Sequence, residues 1–303
     1  MNKIKSSYLG LLVICLCLMP MSIEAQNFIA EGQRPEKITS GYQLAEGPYW
    51  HPEGYLLFSD FPANVIYKWM PGSKEAEVFI KPSGHSNGIT AAPDGNLILA
   101  QHDGMISMLK DNEKIKVLAN SYNGKRLNSP NDLTIASNGT IYFTDPPFGV
   151  SKENKELPVN GVYLLRGDGN PQLMYDGFER PNGIVLSPDE TKVYVNDWIT
   201  GQIMVFERGE NGELTNPRKF ANVGVSAKSG AADGMVVDKK GRLYCTGPGG
   251  IYVFSAEGNQ LKHIKMPALI TNMTWGGDSL KMLYLTAPDA IYRLEMAVTG
   301  AKK

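Results

Sequence analysis

The chain of 303 residues carries 30 basic and 31 acidic side chains, which leaves a formal net charge of −1 at neutral pH. This balance, together with the lack of any long run of one charge, excludes nucleic acid and a charged membrane surface as main partners, whereas small neutral or acidic ligands fit it. Of the three cysteines, Cys245 alone lies outside the first 25 residues, so the rest of the chain has no pair for an internal disulfide.

The first 25 residues predict a secretory signal peptide. Lys3 and Lys5 precede an apolar run over residues 9–19, Pro20 ends the run, and Ala25 is a small residue where cleavage would occur. Because the run is short for a membrane span, a retained N-terminal anchor is the less favoured alternative. We therefore predict an exported protein, periplasmic or secreted, with no membrane span after cleavage and one domain over residues 26–303.

From residue 45 onward the sequence consists of six repeats, each with a polar residue, a first strand, a turn and a second strand. The repeated segments are AEGPYW (45–50), SNGITAAPDGNLILA (86–100), PNDLTIASNGTIYFTD (130–145), PNGIVLSPDETKVYVND (181–197), ADGMVVDKKGRLYCTG (232–247) and TNMTWGGDSLKMLYLTA (271–287). Short strands repeated at a period of about 40 to 50 residues are typical of propellers. We predict an all-β fold, a six-bladed β-propeller with four-stranded antiparallel blades.

Apolar and polar residues alternate in a third strand after each hairpin, and this alternation marks a half-buried strand. The third strands are predicted at residues 65–69, 105–109, 161–165, 202–206, 250–254 and 290–294. Weaker outer strands are predicted at residues 77–79, 116–118, 172–174 and 218–220. No amphipathic helix of any length competes with this interpretation.

The polar residue that opens each repeat lies at the start of the first strand, which in a propeller is the innermost strand of its blade. All six side chains should therefore meet at one end of the central channel. We call these six the ring residues: Glu46, Asn87, Asn131, Asn182, Asp233 and Asn272. Asn-Gly and Asp-Gly, which occur at three of these positions, are also common in plain turns, but six oxygen-bearing side chains in register favour a shared site.

The second strand of each hairpin runs back to the same face, so its end should form the wall of a cup above the ring residues. The residues at this position are Asp60, the segment 101–103, Asp145, Asp197 with Trp198, the segment 247–248 and the segment 287–288. We predict substrate contacts from Asn87, Asn131, His102, Asp145, Asp197 and Trp198. Trp198 is a candidate for stacking on a sugar ring.

The ring residues carry carboxylate and amide oxygens and include no basic side chain. Such a set suits a hard divalent cation, most naturally Ca²⁺, with Zn²⁺, Mg²⁺ or Mn²⁺ as alternatives. Zinc fits less well because the sequence has no HExxH motif and no paired cysteines, and its four histidines are scattered.

Several short strings resemble those of the gluconolactonase and regucalcin (senescence marker protein) family, most closely its bacterial gluconolactonase-like branch. They are EGP (46–48), SNG (86–88), LNSPND (127–132), TDPPFG (144–149), RPNG (180–183), DGM (233–235) and TGPGG (246–250). The resemblance covers essentially the whole chain after residue 25. It implies a six-bladed propeller with a divalent metal, usually calcium, in the channel, and hydrolysis of sugar lactones.

Carried over position by position, the resemblance implies metal ligands at Glu46, Asn182 and Asp233, with Asn131 as a further ligand or substrate contact. Asn87 and Asn272 would then orient substrate or support the ligands. Ser129 departs from the regucalcin-like pattern, which has a substrate-contacting Arg at this position. The sugar preference is accordingly left open.

The predicted function is calcium-dependent hydrolysis of a lactone such as gluconolactone to the aldonic acid. The metal would polarise the carbonyl, and Asp233 is our candidate for the base that activates water. A metal ligand is a poor base, so Asp132, His102 and Asp145 are alternative proton acceptors. A serine triad is disfavoured because no GxSxG motif occurs. Other esterase or phosphotriesterase chemistry, or a non-enzymatic binding propeller, are the alternative functions.

Overall fold

The computed structural model describes residues 27–110, 114–167, 169–226 and 230–301. The predicted signal peptide therefore lies outside the described residues, and its cleavage and the export of the protein stay predictions. No helix in this described part of the chain is long and apolar enough to cross a membrane.

The described residues form β-strands that group into six sheets of four, with one additional two-stranded ribbon. The first strand, β1, spans Glu36–Ser40. Blade 1 contains β2 (Ala45–His51), β3 (Tyr55–Asp60), β4 (Val65–Trp69) and β5 (Glu77–Ile80). Blade 2 contains β6 (Ser86–Ala91), β7 (Leu97–Gln101), β8 (Met105–Lys110) and β9 (Lys114–Ala119).

The ribbon pairs β10 (Ser121–Tyr122) with β11 (Lys125–Arg126). Blade 3 contains β12 (Leu133–Ile135), β13 (Ile141–Asp145), β14 (Gly161–Leu165) and β15 (Gln172–Tyr175). Blade 4 contains β16 (Pro181–Leu186), β17 (Lys192–Asp197), β18 (Gln202–Arg208) and β19 (Leu214–Asn222). Blade 5 contains β20 (Met235–Val237), β21 (Leu243–Gly247), β22 (Gly250–Phe254) and β23 (Gln260–Lys265). Blade 6 contains β24 (Asn272–Gly276), β25 (Met282–Ala287) and β26 (Ala290–Glu295).

The first strand of the chain completes the last blade. β1 pairs antiparallel with β26, with Glu36 opposite Arg293 and Ser40 opposite Ala290. The innermost strands contact one another in the cyclic order β2, β6, β12, β16, β20, β24 and back to β2. The predicted six-bladed propeller with four-stranded antiparallel blades is confirmed. The sequence analysis did not identify β1 as the closing strand, and it did not find β23.

The core consists of apolar layers between neighbouring blades, because each blade buries both of its faces. β13 shows the arrangement: Tyr142 packs toward blade 4 and Phe143 toward blade 2, and neither side chain is exposed. Successive residues of a strand point to opposite faces, so one strand supplies two layers. Cys245 lies in the layer between blades 4 and 5, where burial raises the pKa of its thiol to about 12. This thiol packs as a small apolar side chain.

Hydroxyl groups near the ends of second strands tie the blades together close to the ring. The Ser59 hydroxyl donates to Ser86 Oγ over 3.1 Å, which joins blade 1 to blade 2. Thr144 Oγ1 donates to the carbonyl of Asn182 over 2.8 Å, which joins blade 3 to blade 4. Because these bonds are buried, they fix the inner strands beside which the ring residues lie.

Candidate active site

Local irregularities of the inner strands position most of the ring residues. A β-bulge follows Glu46, another begins at Ser86 beside Asn87, and a third begins at Pro181 beside Asn182. In blades 3 and 5 the regular strand begins two residues after Asn131 and Asp233. In a regular strand, successive side chains point to opposite faces of the sheet. Bulges bend a strand and redirect its side chains, so these polar groups need not point to either face.

The glycine that follows four of the ring residues is required by the next blade rather than by a turn. An ideal Cβ on Gly47 would lie 1.8 Å from the carbonyl oxygen of Asn87, and one on Gly234 would lie 2.0 Å from Asn272 Oδ1. Gly88 and Gly183 approach the next blade in the same way. A side chain at these positions would separate neighbouring ring residues, so the glycines allow the ring to close.

Hydrogen bonds connect the ring residues around the channel. Asn272 Nδ2 donates to Glu46 Oε2 over 3.0 Å, and Asn131 Nδ2 donates to Asn182 Oδ1 over 2.6 Å. Asn87 Nδ2 donates to both the carbonyl and the side-chain oxygen of Asn131, over 3.0 and 3.1 Å. The structure thus brings all six ring residues together, as the repeat register predicts.

The two acidic ring residues lie close enough to affect each other's charge. Burial raises the pKa of Glu46 to about 7, although bonds from the Gly47 N–H and from Asn272 favour its charged form. Burial and the charge of Glu46 raise the pKa of Asp233 well above its usual range, while Asn182 donates to its carboxylate. The Asp132 carboxylate raises both pKa values further. This end of the channel therefore concentrates negative charge in a poorly hydrated place.

His102 reaches the ring from the end of β7. Its Nε2 lies 3.0 Å from Asn131 Oδ1, an oxygen that also accepts from Asn87. An amide oxygen only accepts, so Nε2 carries the hydrogen and Nδ1 is left as an acceptor; this atom is buried and has no partner among the described residues. Burial lowers the pKa of His102, so the imidazole is neutral at neutral pH.

The predicted wall carboxylates bind backbone groups. Asp145 Oδ2 accepts from the Asn128 N–H over 2.9 Å, and Asp197 Oδ2 accepts from the Glu179 N–H over 2.7 Å. Asp60 accepts in the equivalent way from the N–H groups of residues 43 and 44. In three blades, therefore, the aspartate at the end of the second strand fixes the backbone segment just before the ring residue. Substrate contact by Asp145 and Asp197 stays a prediction.

Trp198 lies at the rim of the cup and is 37% exposed. Its ring meets Phe148 edge to face with centroids 5.9 Å apart, and the Arg180 guanidinium lies 5.5 Å from the Trp198 centroid. Ser129 binds the loop that carries Phe148: its hydroxyl donates to the carbonyl of Pro146 over 2.5 Å and accepts from the Gly149 N–H over 2.8 Å. Ser129 therefore supports the 146–149 loop.

The donor set at the ring fits a hard divalent cation. No three His, Cys, Asp or Glu side chains of the described residues come together as a metal site by themselves. The ring instead combines the carboxylates of Glu46 and Asp233 with amide oxygens, and these are the oxygen donors that calcium accepts. Burial is the main cause that raises the pKa of both acids, and no basic side chain of the described residues is among the groups that oppose the shift.

A cavity of about 880 Å³ lies at the opposite end of the propeller, lined mainly by the turns between first and second strands. None of the predicted site residues lines this cavity. Two carboxylates that line it bind backbone N–H groups: Asp94 accepts from the Asn96 N–H over 3.1 Å, and Glu190 accepts from the Ser137 N–H over 2.7 Å. We therefore place the candidate site at the ring, where the titratable groups converge.

The structure defines the class of the protein as a six-bladed propeller with a buried, oxygen-rich centre at one end of its channel. The family model described as SMP-30/Gluconolactonase/LRE-like region matches residues 44–288, and the chain belongs to this family. The chain is 37% identical to a gluconolactonase of Zymomonas mobilis over 292 aligned residues, which cover 88% of this chain and 82% of the relative.

Solved structures of the same architecture agree with this assignment. A gluconolactonase of Xanthomonas campestris matches with a TM-score of 0.78 and 29% identity, covering 89% of this chain and 94% of its own. A calcium-binding regucalcin of Agrobacterium tumefaciens has the same fold, with a TM-score of 0.73 and 17% identity, covering 87% of this chain and 93% of its own. The family resemblance inferred from the sequence strings is thus confirmed.

Proposed function

We propose that the protein hydrolyses a sugar lactone of the gluconolactone type to the aldonic acid, with calcium or another divalent cation bound at the ring residues. The chain is a lactone hydrolase, as its gluconolactonase relatives indicate. The single observation that carries the proposal is the pair of acids at the floor of the cup, Glu46 and Asp233, whose carboxylates accept hydrogen bonds from the side-chain amides of Asn272 and Asn182.

Glu46, Asn182 and Asp233 are the residues that would hold the cation, with Asn131 beside them. When bound, a divalent cation supplies a Lewis acid for the lactone carbonyl and balances the charge of the oxyanion. The hydrogen bonds from Asn272 to Glu46 and from Asn131 to Asn182 hold these side chains in fixed directions. Such prior ordering lowers the cost of assembling the site.

Asp233 is the ring residue to which we assign proton transfer. As a whole residue it is less buried than the other five. Burial and the charge of nearby acids raise the pKa of Asp233. A cation bound at the ring would oppose this shift, so Asp233 would act as the base while remaining a ligand. We propose that Asp233 accepts a proton from the attacking water and returns it to the ring oxygen of the lactone as the ester bond breaks.

The test compares lactone hydrolysis by the wild type, Asp233→Asn and Asp278→Asn, followed by acid release above the spontaneous rate. Asp278 is an exposed aspartate of a hairpin turn in blade 6, so its variant makes the same chemical change away from the cup. We expect a chelator to abolish wild-type activity, calcium to restore it, and Asp233→Asn to lower kcat at least 100-fold. Chelator-resistant activity that Asp233→Asn leaves intact would refute the proposed mechanism.

A further inference from the structure

Arg180 is fixed at the rim of the cup, two residues before the ring residue Asn182. Its N–H donates to Asp197 Oδ2 over 3.0 Å, and its carbonyl accepts from the Trp198 N–H over 2.9 Å. These two bonds attach its backbone to the end of β17. The Arg180 side chain therefore starts from a rigid position beside the candidate site.

Two aromatic rings hold the guanidinium of Arg180 in place. Its central carbon lies 5.8 Å from the Phe148 centroid and 5.5 Å from the Trp198 centroid. The two ring planes lie at 82° to each other, and cation–π contacts of this kind hold a guanidinium without pairing its N–H groups with an oxygen acceptor. The rings thus orient the group without satisfying its donors.

The loop that carries Phe148 is itself anchored next to the ring. Ser129 binds both ends of this turn, at Pro146 and Gly149. An ideal Cβ on Gly149 would lie 2.7 Å from His102 Cβ, so the loop lies directly against the histidine that contacts Asn131. The aromatic clamp on Arg180 is therefore part of the cup wall.

Arg180 differs from the other cations near this rim. Arg126 Nη1 donates to the carbonyls of Leu127 and Asn128, each over 2.7 Å, and Lys155 Nζ donates to the carbonyl of Leu157 over 2.7 Å. For Arg180, in contrast, no side-chain hydrogen bond or carboxylate partner is found within the part of the chain that the structure describes. A half-buried guanidinium with free donors next to a binding cup points to a ligand as its partner.

We propose that Arg180 is a specificity-determining residue whose N–H edge binds the hydroxyl groups of the sugar lactone. Adjacent hydroxyl oxygens match the paired donors of a guanidinium, whereas a lactone without hydroxyls has no such pair and offers only its ester oxygens. This inference rests on the proposed function. It adds that Arg180 recognises the hydroxyl groups of the substrate, which would explain a preference for sugar lactones over lactones without hydroxyl groups.

The experiment compares glucono-δ-lactone with δ-valerolactone, which has the same ring ester and no hydroxyl groups. The variants are Arg180→Gln, Arg180→Lys and the control Arg218→Gln, which removes an exposed arginine on the outer strand of the same blade. We expect Arg180→Gln to raise KM for gluconolactone at least tenfold while kcat/KM for δ-valerolactone stays within twofold of the wild type. Arg180→Lys keeps the charge but loses the paired donors, and we expect it to recover only part of the gluconolactone KM.

Equal losses on both lactones would overturn the inference, because they would indicate a structural role for Arg180. Unchanged kinetics on gluconolactone would overturn it as well. Calorimetric binding of 1,5-anhydroglucitol, an uncharged ring with hydroxyl groups and no carboxylate, is measured in parallel, since it does not depend on turnover and separates this inference from the proposed function. If the wild type hydrolyses neither lactone, the proposed function fails, while a tenfold loss of 1,5-anhydroglucitol affinity confined to the Arg180 variants still supports hydroxyl recognition and an unchanged affinity refutes it.

Discussion

Replacing Asp145 by asparagine tests how the buried carboxylate at the end of β13 makes stability depend on pH. The Asp145 side chain is fully buried, its Oδ2 accepts from the Asn128 N–H, and its Oδ1 has no partner among the described residues. Burial raises the pKa of Asp145 from 3.8 to about 7, although two backbone N–H groups and the charges of Arg126 and Lys155 oppose the shift. Asparagine keeps the shape and the acceptor but cannot ionise.

The sign follows from the direction of the shift. The folded protein holds this proton more tightly than the unfolded chain, so the stability that it contributes is complete below pH 3.8 and is lost as the pH rises through about 7. With about 1.4 kcal/mol per pKa unit, the total loss is about 4 kcal/mol, of which about 3 kcal/mol falls between pH 5 and pH 8. Asp145→Asn should therefore gain about 3 kcal/mol relative to the wild type over this range.

The assay is reversible urea unfolding of both proteins at several pH values from 5 to 8. Asp94→Asn is the control: Asp94 is exposed in a turn, and hydrogen bonds from Asn96 lower the pKa of its carboxyl. The stability that Asp94 contributes by ionising is lost only at acid pH, so its variant should differ from the wild type by the same amount throughout the range. A difference between Asp145→Asn and wild type that does not change with pH would refute the reasoning.

Two further predictions concern the ring. Gly47→Ala should lower the free energy of unfolding in urea by about 2 kcal/mol more than Gly54→Ala. Both glycines have positive φ, but only at Gly47 would the new Cβ meet the Asn87 carbonyl. Equal losses would show that blades 1 and 2 are not so close. Asn272→Asp replaces the donor 3.0 Å from Glu46 Oε2 with another carboxylate, so it should lower the melting temperature of chelated protein and increase the rise caused by calcium. An unchanged calcium response would contradict a cation held by Glu46, the residue to which Asn272 donates.

Strand prediction succeeded where the chain alternates between two buried faces. The third strands of blades 1, 3 and 5 have the predicted bounds, Val65–Trp69, Gly161–Leu165 and Gly250–Phe254. β23 was missed because most of its side chains are exposed, which leaves little apolar pattern to detect. β1 was missed as the closing strand because its partner β26 lies at the other end of the chain.

The site was predictable to the extent that it repeats. The register of the six repeats predicted that the ring residues converge, because equivalent positions of equivalent blades must face the same axis. The clamp around Arg180 was not predictable, since it combines loops of two blades through Phe148 and Trp198 and no spacing in the sequence indicates it. The hydrogen bonds from backbone N–H groups to Asp145 and Asp197 were also not predictable. The sequence places a carboxylate at the end of a strand but does not show whether it binds substrate or backbone.

Closure of the propeller by β1 makes the order of synthesis matter for the candidate metal site. Glu46 and its partner Asn272 are separated by 226 positions, and β26 is among the last strands to be made. A growing chain that lacks blade 6 has Glu46 and Asp233 but not β24, the inner strand that contacts the inner strands of both of their blades. Contacts between such distant residues form late and slowly. Calcium binding at the ring residues would then indicate that the newly made chain has closed into a complete propeller.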